Sequence, residues 1–408
     1  MNKNGRVILA TATVALIAAC GEPQVSQPAQ DLLFLSSASG VAVVNPGAAS
    51  PTLKGSAAVP SRDWSTVVRT KSGRGLTRVV ALDPSSDAER WTRIVDGNLR
   101  AKVVSEDGMM AVLSPVREPG YRDGRSVTKL VVASRDSDQT ISLDGNFEPE
   151  AFSTDGDSLF VIRYLPPTKP TRYQVRRLDL ITERVEGVYT PDAHLQRAMG
   201  GTARVQASSR DGRRLYTLYT LRGDDGTDYA FVHVLSLDEL WAHCIHLPRW
   251  FAASAERSTA LTVTPDGSRM YVANAQANSV AEIDTEELGV SRTAAIGFGM
   301  RAKTHAALAS DGTLYLASGP RVTAVDTRDL TEKRYWLMPE NVRGLQVRAD
   351  AKRLYVALRD RVAPFNAITG DPLETFDPPG IKRIAGFGPV QRAEEKPKRE
   401  TKNIVCAC

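Results

Sequence analysis

One unit recurs along the chain: a short apolar strand, a turn built on aspartate, then a strand ending in Leu-Tyr-Val or a close variant. It stands at Asp63 (SRDWSTVV), Asp107 (SEDGMMAV), Asp155 (STDGDSLFV) and Asp211 (SRDGRRLYT). It returns at Asp266 (TPDGSRMYV), Asp311 (ASDGTLYL) and Asp350 (RADAKRLYV). Successive aspartates lie 39 to 56 residues apart. Self-similarity at such a period marks a repeat architecture, and an interval of about 40–45 residues plus insertions suits four short strands.

The unit around Asp266 shows how four strands fit. Residues 260–264 make strand a, and Pro265-Asp266-Gly267 a tight turn. Residues 270–274, 279–284 and 290–296 then read as strands b, c and d. Their β-branched and aromatic content favours strands. No 12-residue stretch of the body holds a capped 3.6-residue period, which argues against a helical solenoid. Residues 32–54 read as strands b, c and d without an a, and residues 381–388 as an a without a b. Pairing residues 381–388 with 32–36 makes one more blade and removes two open edges. The expected fold is an all-β propeller of eight four-stranded blades, closed by pairing of its N- and C-terminal strands. Seven blades is the alternative, if the first repeat is absorbed differently. An apolar fraction of 42% suffices for such a core, and four Cys exclude a disulfide-dense scaffold.

The start of the chain supplies an address. Lys3 and Arg6 precede an apolar run from Val7 to Ala19, too short to span a bilayer but suited to a signal-peptide core. Ile17-Ala18-Ala19-Cys20 resembles the bacterial lipobox, in which the cysteine thiolate is alkylated by diacylglycerol. Residues 1–19 are therefore expected to be a lipoprotein signal, with Cys20 the lipidated residue. Residues 20–30 follow as a flexible tether, 31–390 as the propeller and 391–408 as a charged, solvated tail. The expected location is the cell membrane, lipid-anchored on its extracytoplasmic side. The net charge of +5 falls by two when Lys3 and Arg6 leave, too little for a nucleic-acid binder.

Residues 264–297 resemble the YVTN-type propeller repeat, with Tyr271, Val272, Ala273 and Asn274 in the Y-V-T-N positions. The chain as a whole is similar to bacterial lipid-anchored YVTN-type and WD-like propellers. That resemblance implies the fold and varied ligands, but no chemistry. Residues 81–91 (ALDPSSDAERW) resemble the tryptophan-docking motif of pyrroloquinoline-quinone dehydrogenases, and Asn366–Gly370 a second such turn. The motif joins strands c and d there and implies no quinone by itself.

The candidates for chemistry read mostly as structure. The repeated Asp-Gly pairs are turn formers. In His243-Cys244-Ile245-His246, strand alternation places Cys244 and His246 on one face and His243 on the other, too few ligands for zinc. Residues 224–228 (DDGTD) begin like a calcium loop but put Ser236 where the bidentate Glu belongs. No nucleophile elbow, Walker loop, dinucleotide fingerprint or HExxH motif is present, and no cofactor or metal is expected.

Alternation of strands puts the Asp turns on one face and the b–c and d–a loops on the other. The insertions fall on the second face: b–c loops at 114–126, 163–172 and 221–228, and d–a loops at 191–203 and 246–258. Long loops on a rigid scaffold usually carry function. They offer Tyr121, Tyr164, Arg197, Arg249, Trp250 and Phe251, residue types that anchor interfaces. Arg100, Arg204 and Arg343 each stand seven residues before a turn Asp, where they can make the channel mouth positive. The expected function is a non-catalytic binding or assembly scaffold working through this face. Its ligand would be a protein or an anionic small molecule or glycan. The alternative is a hydrolase or lyase, lactonase-like or glycosidase-like, with a loop-built central site.

Overall fold

The computed structural model describes residues 31–389, apart from 38–39, 47–57, 191–197, 224–225, 253–257, 301, 349 and 374–380. The leader, Cys20, the tether and the tail thus lie outside the described residues.

The strands form eight separate antiparallel sheets. Sheet 1 joins β1 (Asp31–Ser37) and β2 (Gly40–Val44) to the last strand, β30 (Ile381–Pro389). Sheet 2 holds β3 (Ala58–Pro60), β4 (Val67–Gly73), β5 (Leu76–Leu82) and β6 (Glu89–Asp96). Sheet 3 holds β7 (Leu99–Val104), β8 (Met110–Pro115), β9 (Val127–Ser134) and β10 (Asp138–Asp144). Sheet 4 holds β11 (Asn146–Phe152), β12 (Ser158–Leu165), β13 (Arg172–Asp179) and β14 (Val185–Gly187). Sheet 5 holds β15 (Thr202–Ser208), β16 (Arg214–Arg222), β17 (Asp228–Ser236) and β18 (Ala242–His246). Sheet 6 holds β19 (Thr259–Val263), β20 (Arg269–Asn274), β21 (Ser279–Asp284) and β22 (Gly289–Ala295). Sheet 7 holds β23 (Thr304–Leu308), β24 (Thr313–Ser318), β25 (Arg321–Asp326) and β26 (Thr331–Leu337). Sheet 8 holds β27 (Gly344–Val347), β28 (Arg353–Ala357) and β29 (Val362–Asn366).

All seven signature aspartates sit between the first and second strands of sheets 2 to 8, as the repeat implies. Six sheets have four strands, and sheets 1 and 8 have three among the described residues. The d strand expected of sheet 1 falls mostly on residues outside the described set. β1 pairs with β30 from Asp31↔Pro389 to Ser37↔Ile381, the pairing expected of the chain ends. Among the described residues there is no α-helix, and one 3-10 turn spans Arg249–Ala252.

Burial explains the order of strands within a sheet. The first strands of successive sheets lie side by side: β3 with β7, β7 with β11, β15 with β19, β19 with β23, and β23 with β27. They form the inner layer. The second and third strands are buried on both faces, as in β20 (RMYVAN) and β21 (SVAEID), because a neighbouring sheet covers each side. Fourth strands such as β26 meet solvent along most of their length, whereas β18 of sheet 5 is mostly buried. Core clusters therefore span two sheets. Tyr271, Ala273 and Val280 of sheet 6 meet Leu314, Leu316 and Val325 of sheet 7. Leu33, Leu35 and Val44 of sheet 1 meet Tyr355, Ala357 and Val362 of sheet 8. Each such contact removes apolar area from water on both partners at once.

Candidate binding face

Each signature aspartate holds its turn through a carboxylate oxygen. Ser105 Oγ donates to Asp107 Oδ1 at 2.6 Å, and Asp107 Oδ1 accepts the Met109 amide at 3.0 Å. The Met110 amide donates to Ser105 Oγ at 2.9 Å. Ser61, Ser153 and Ser209 repeat the arrangement with Asp63, Asp155 and Asp211. The residue after the aspartate is left-handed: Gly108 has φ +75°, where a non-glycine is strained. Trp64 and Ala351 accept that conformation at the two turns lacking glycine. The turn reading of these carboxylates is borne out.

The third-to-fourth-strand turns carry a second signature that the sequence reading did not extract. Asp179, Asp284 and Asn366 each accept the amides two and three residues on. Asp83, in the tryptophan-docking-like segment, does the same with Ser85 and Ser86, and its pKa is lowered to about 2 by those bonds and by Arg90 despite partial burial. Trp91 is buried and donates Nε1–H to the Gly108 carbonyl at 2.8 Å. The segment ties sheet 2 to the turn of sheet 3, the structural role expected of it.

Both turn types lie on one face. On the opposite face two long b–c loops meet. The loop after β8 and the loop after β12 are joined by the Arg125 amide, which donates to Pro167 O at 3.1 Å. Asn146 Nδ2 donates to Tyr121 O at 2.7 Å and to Pro167 O at 3.1 Å, pinning both loops to the start of β11. This docking stacks Tyr121 on Tyr164, with ring centroids 4.2 Å apart and planes 13° from parallel. The Arg122 guanidinium lies 5.7 Å from the Tyr121 ring centre, within cation–π range.

Below the tyrosines lies a charged network absent from the sequence reading. Arg125 is 7% exposed. Its Nη1 is 2.7 Å from Glu118 Oε2 and its Nη2 2.7 Å from Glu148 Oε1. Arg125 also donates to the Phe147 and Pro119 carbonyls. Lys102 Nζ, on the first strand of sheet 3, reaches Glu148 Oε2 at 3.1 Å. Gln206, on the first strand of sheet 5, donates to Glu150 Oε1 at 2.5 Å. Three consecutive inner strands are thus bridged by carboxylates of β11. Burial pushes the Glu150 carboxyl pKa up, and burial raises that of Glu118 in spite of Arg125. The sequence signal was two glutamates, Glu148 and Glu150, close together on a first strand, where the register with β12 shifts at Glu150.

The other expected residues are scattered over the fold. Arg100, on β7, is exposed, and Arg343, beside β27, is half-buried. Arg204 on β15 donates Nε–H to Thr220 Oγ1 at 2.6 Å. Glu148 and Glu150 stand on the sheet between those of Arg100 and Arg204, so the inner wall there carries both signs. Arg249 and Trp250 are exposed on the 3-10 turn, Trp250 at 54%. Phe251 does not belong to the binding face expected of it. It is 1% exposed and joins Val232, Leu261 and Val272 in the core between sheets 5 and 6, so it cannot meet a partner. Arg197 lies outside the described residues.

Cys244 is buried, as expected of a structural thiol. Its cross-strand neighbour is His233, whose pKa burial lowers to about 4, with His243 adding to the effect. His233 is a neutral core side chain at ordinary pH. Among the described residues no three His, Cys, Asp or Glu side chains are placed to hold a metal ion.

No protein-family model and no curated protein matches the chain. Among solved structures it is similar to Sqt1 of Saccharomyces cerevisiae, with TM-score 0.50 and 9% identity over 80% of this chain and 86% of that one. It is also similar to a putative 6-phosphogluconolactonase of Bacteroides fragilis, with TM-score 0.50 and 14% identity over 90% of this chain and 99% of that one. Both neighbours are β-propeller proteins. The fold is a β-propeller. At such identity the likeness is one of fold, and a propeller's function lies in its loops.

Proposed function

We propose that this propeller is an extracytoplasmic lipoprotein, held at the cell membrane by a lipid on Cys20, that binds or assembles a partner through its b–c and d–a loop face. Sheet 1 closes the ring, a reading supported by the β1–β30 register and by its apolar contact with sheet 8. The observation that carries the functional reading is the mutual docking of two long loops around Tyr121 and Tyr164. Ordering long loops costs conformational entropy, and here side chains and backbone hold them in one arrangement. Exposed Arg100, Arg122, Arg249 and Trp250 complete the polar and aromatic offer on this face. The partner is a protein, or an anionic small molecule or glycan.

One observation favours the hydrolase or lyase reading. Glu148 and Glu150 share a wall in unlike surroundings, one ion-paired and one with a raised pKa, as an acid–base pair requires. A Glu150→Gln protein that keeps its partner but loses turnover of a lactone or glycoside selects that reading.

The test is recovery of bound material from the protein's own membranes. A Tyr121→Ala, Tyr164→Ala double variant is expected to recover about tenfold less than wild type. Cys20→Ser is expected to leave the membrane fraction. Full recovery by the double variant, with the fold intact, contradicts the loop-face reading. Unchanged membrane retention of Cys20→Ser contradicts the anchor.

A further inference from the structure

On the aspartate-turn face, away from the tyrosine pair, sheets 5 and 6 leave a cavity of about 220 Å³ between them. That is smaller than the ~300–1,000 Å³ typical of whole small-molecule sites, so it suits one side-chain-sized group. Its wall is acidic, with Asp211, Asp238, Glu239, Asp266 and Glu286 all lining it. Two arginines share the wall. Arg213 stands 3.8 Å from Asp211 and 3.6 Å from Asp238, too far for hydrogen bonds. Arg214 donates to Thr285 O, also on this wall, and lies 5.6 Å from the Trp241 ring centre. Five carboxylates against two guanidinium groups leave the cavity negative.

A second, independent feature points the same way. Tyr216 is 0% exposed and lines this cavity. Its hydroxyl stands near Asp211, Arg214 and Thr285, yet it makes no hydrogen bond of acceptable geometry within the protein. A buried hydroxyl without a partner is costly to keep, and a bound donor removes that cost. Burial raises the Tyr216 pKa, so the phenol stays neutral and able to accept.

We propose that this cavity is a second binding site, which takes the head of an organic cation: a guanidinium or a primary ammonium on a short alkyl stem. The carboxylates are too dispersed for a metal ion, since no three converge. Dispersed acceptors suit a group whose several N–H donors point in different directions, as those of a guanidinium do. The phenol oxygen takes one N–H and the carboxylates take the rest. Nothing in this depends on the loop-face reading.

The test is calorimetric titration of the full chain with L-arginine amide and with L-lysine amide, using L-citrulline amide as the uncharged control. At least one cation saturates the site, and citrulline amide does not. Tyr216→Phe weakens cation binding about tenfold without lowering the unfolding midpoint. Asp238→Asn with Glu239→Gln removes binding, and Tyr121→Ala leaves it unchanged. A Gly-Arg-Gly peptide that binds more tightly than arginine amide marks the natural source as a polypeptide, and the reverse order marks a small molecule. Failure of both cations to saturate, equal binding of citrulline amide, or an unchanged affinity in Tyr216→Phe overturns the proposal.

Discussion

Removing residues 381–408 is expected to lower the melting temperature by about 10 °C or more, or to drive the chain into aggregates. β30 supplies the whole hydrogen-bonding partnership of one side of β1, from Asp31 to Ser37. Without it that row of amides and carbonyls faces solvent as an open edge. Leu33 and Leu35, now within the cluster shared with sheet 8, also lose cover from Ile384. Removing residues 391–408 alone spares β30 and leaves melting unchanged. Differential scanning calorimetry with size-exclusion chromatography checks both. A monomeric 381–408 deletion that melts like wild type contradicts ring closure by sheet 1.

Arg125→Met is expected to destabilise the protein by about 3–5 kcal/mol at neutral pH. The guanidinium is the shared partner of Glu118 and Glu148 and also bonds two backbone carbonyls. Methionine fills much of the volume but leaves buried carboxylates uncompensated. Lys102 still serves Glu148, whereas Glu118 loses its ion-pair partner and keeps the Lys129 amide and the more distant Lys102 charge. Adding Glu118→Gln to Arg125→Met therefore recovers a large part of the loss. The effect depends on pH in a fixed direction. The folded-state pKa of Glu118 is already raised by burial, and losing Arg125 raises it further. The folded state then holds the proton more tightly than the unfolded one. The Glu118 part of the penalty is absent at low pH, where the group is protonated in both proteins, and grows as pH rises from the raised folded pKa of the wild type toward the still higher one of the variant. Urea unfolding at acidic and neutral pH measures this. A penalty that is the same at both pH values contradicts the role given to Glu118.

The eight-sheet architecture was legible because its turns make local demands. A Ser or Thr two residues before an Asp, with a left-handed residue after it, satisfies the turn within a few residues, and it repeats in the sequence as it does in space. The site was legible only in part. Tyr121 and Tyr164 were found as aromatic residues on long insertions, and the loops do bring them together. Arg125, Glu118 and Glu148 were not found, because their meaning depends on which loop lies against which strand. Trp250 and Phe251 show the same limit at the smallest scale. They are adjacent and both aromatic, yet one faces water and the other fills the core, and only tertiary contacts decide between them. The acidic cavity between sheets 5 and 6 was hidden for a related reason. Asp211 and Asp266 read as turn formers, which they are, and nothing local shows that two turns share a cavity.

The claim at the centre is that the b–c and d–a loop face meets the partner. The direct measurement places a photo-crosslinking amino acid at position 121 or 250 on that face, and at position 352 on the aspartate-turn face, in cells making the full chain. Adducts at 121 or 250, lost on adding Tyr164→Ala to the 121 variant, with none at 352, are the expected result. Adducts at 352 alone, or equally at all three positions, would contradict it.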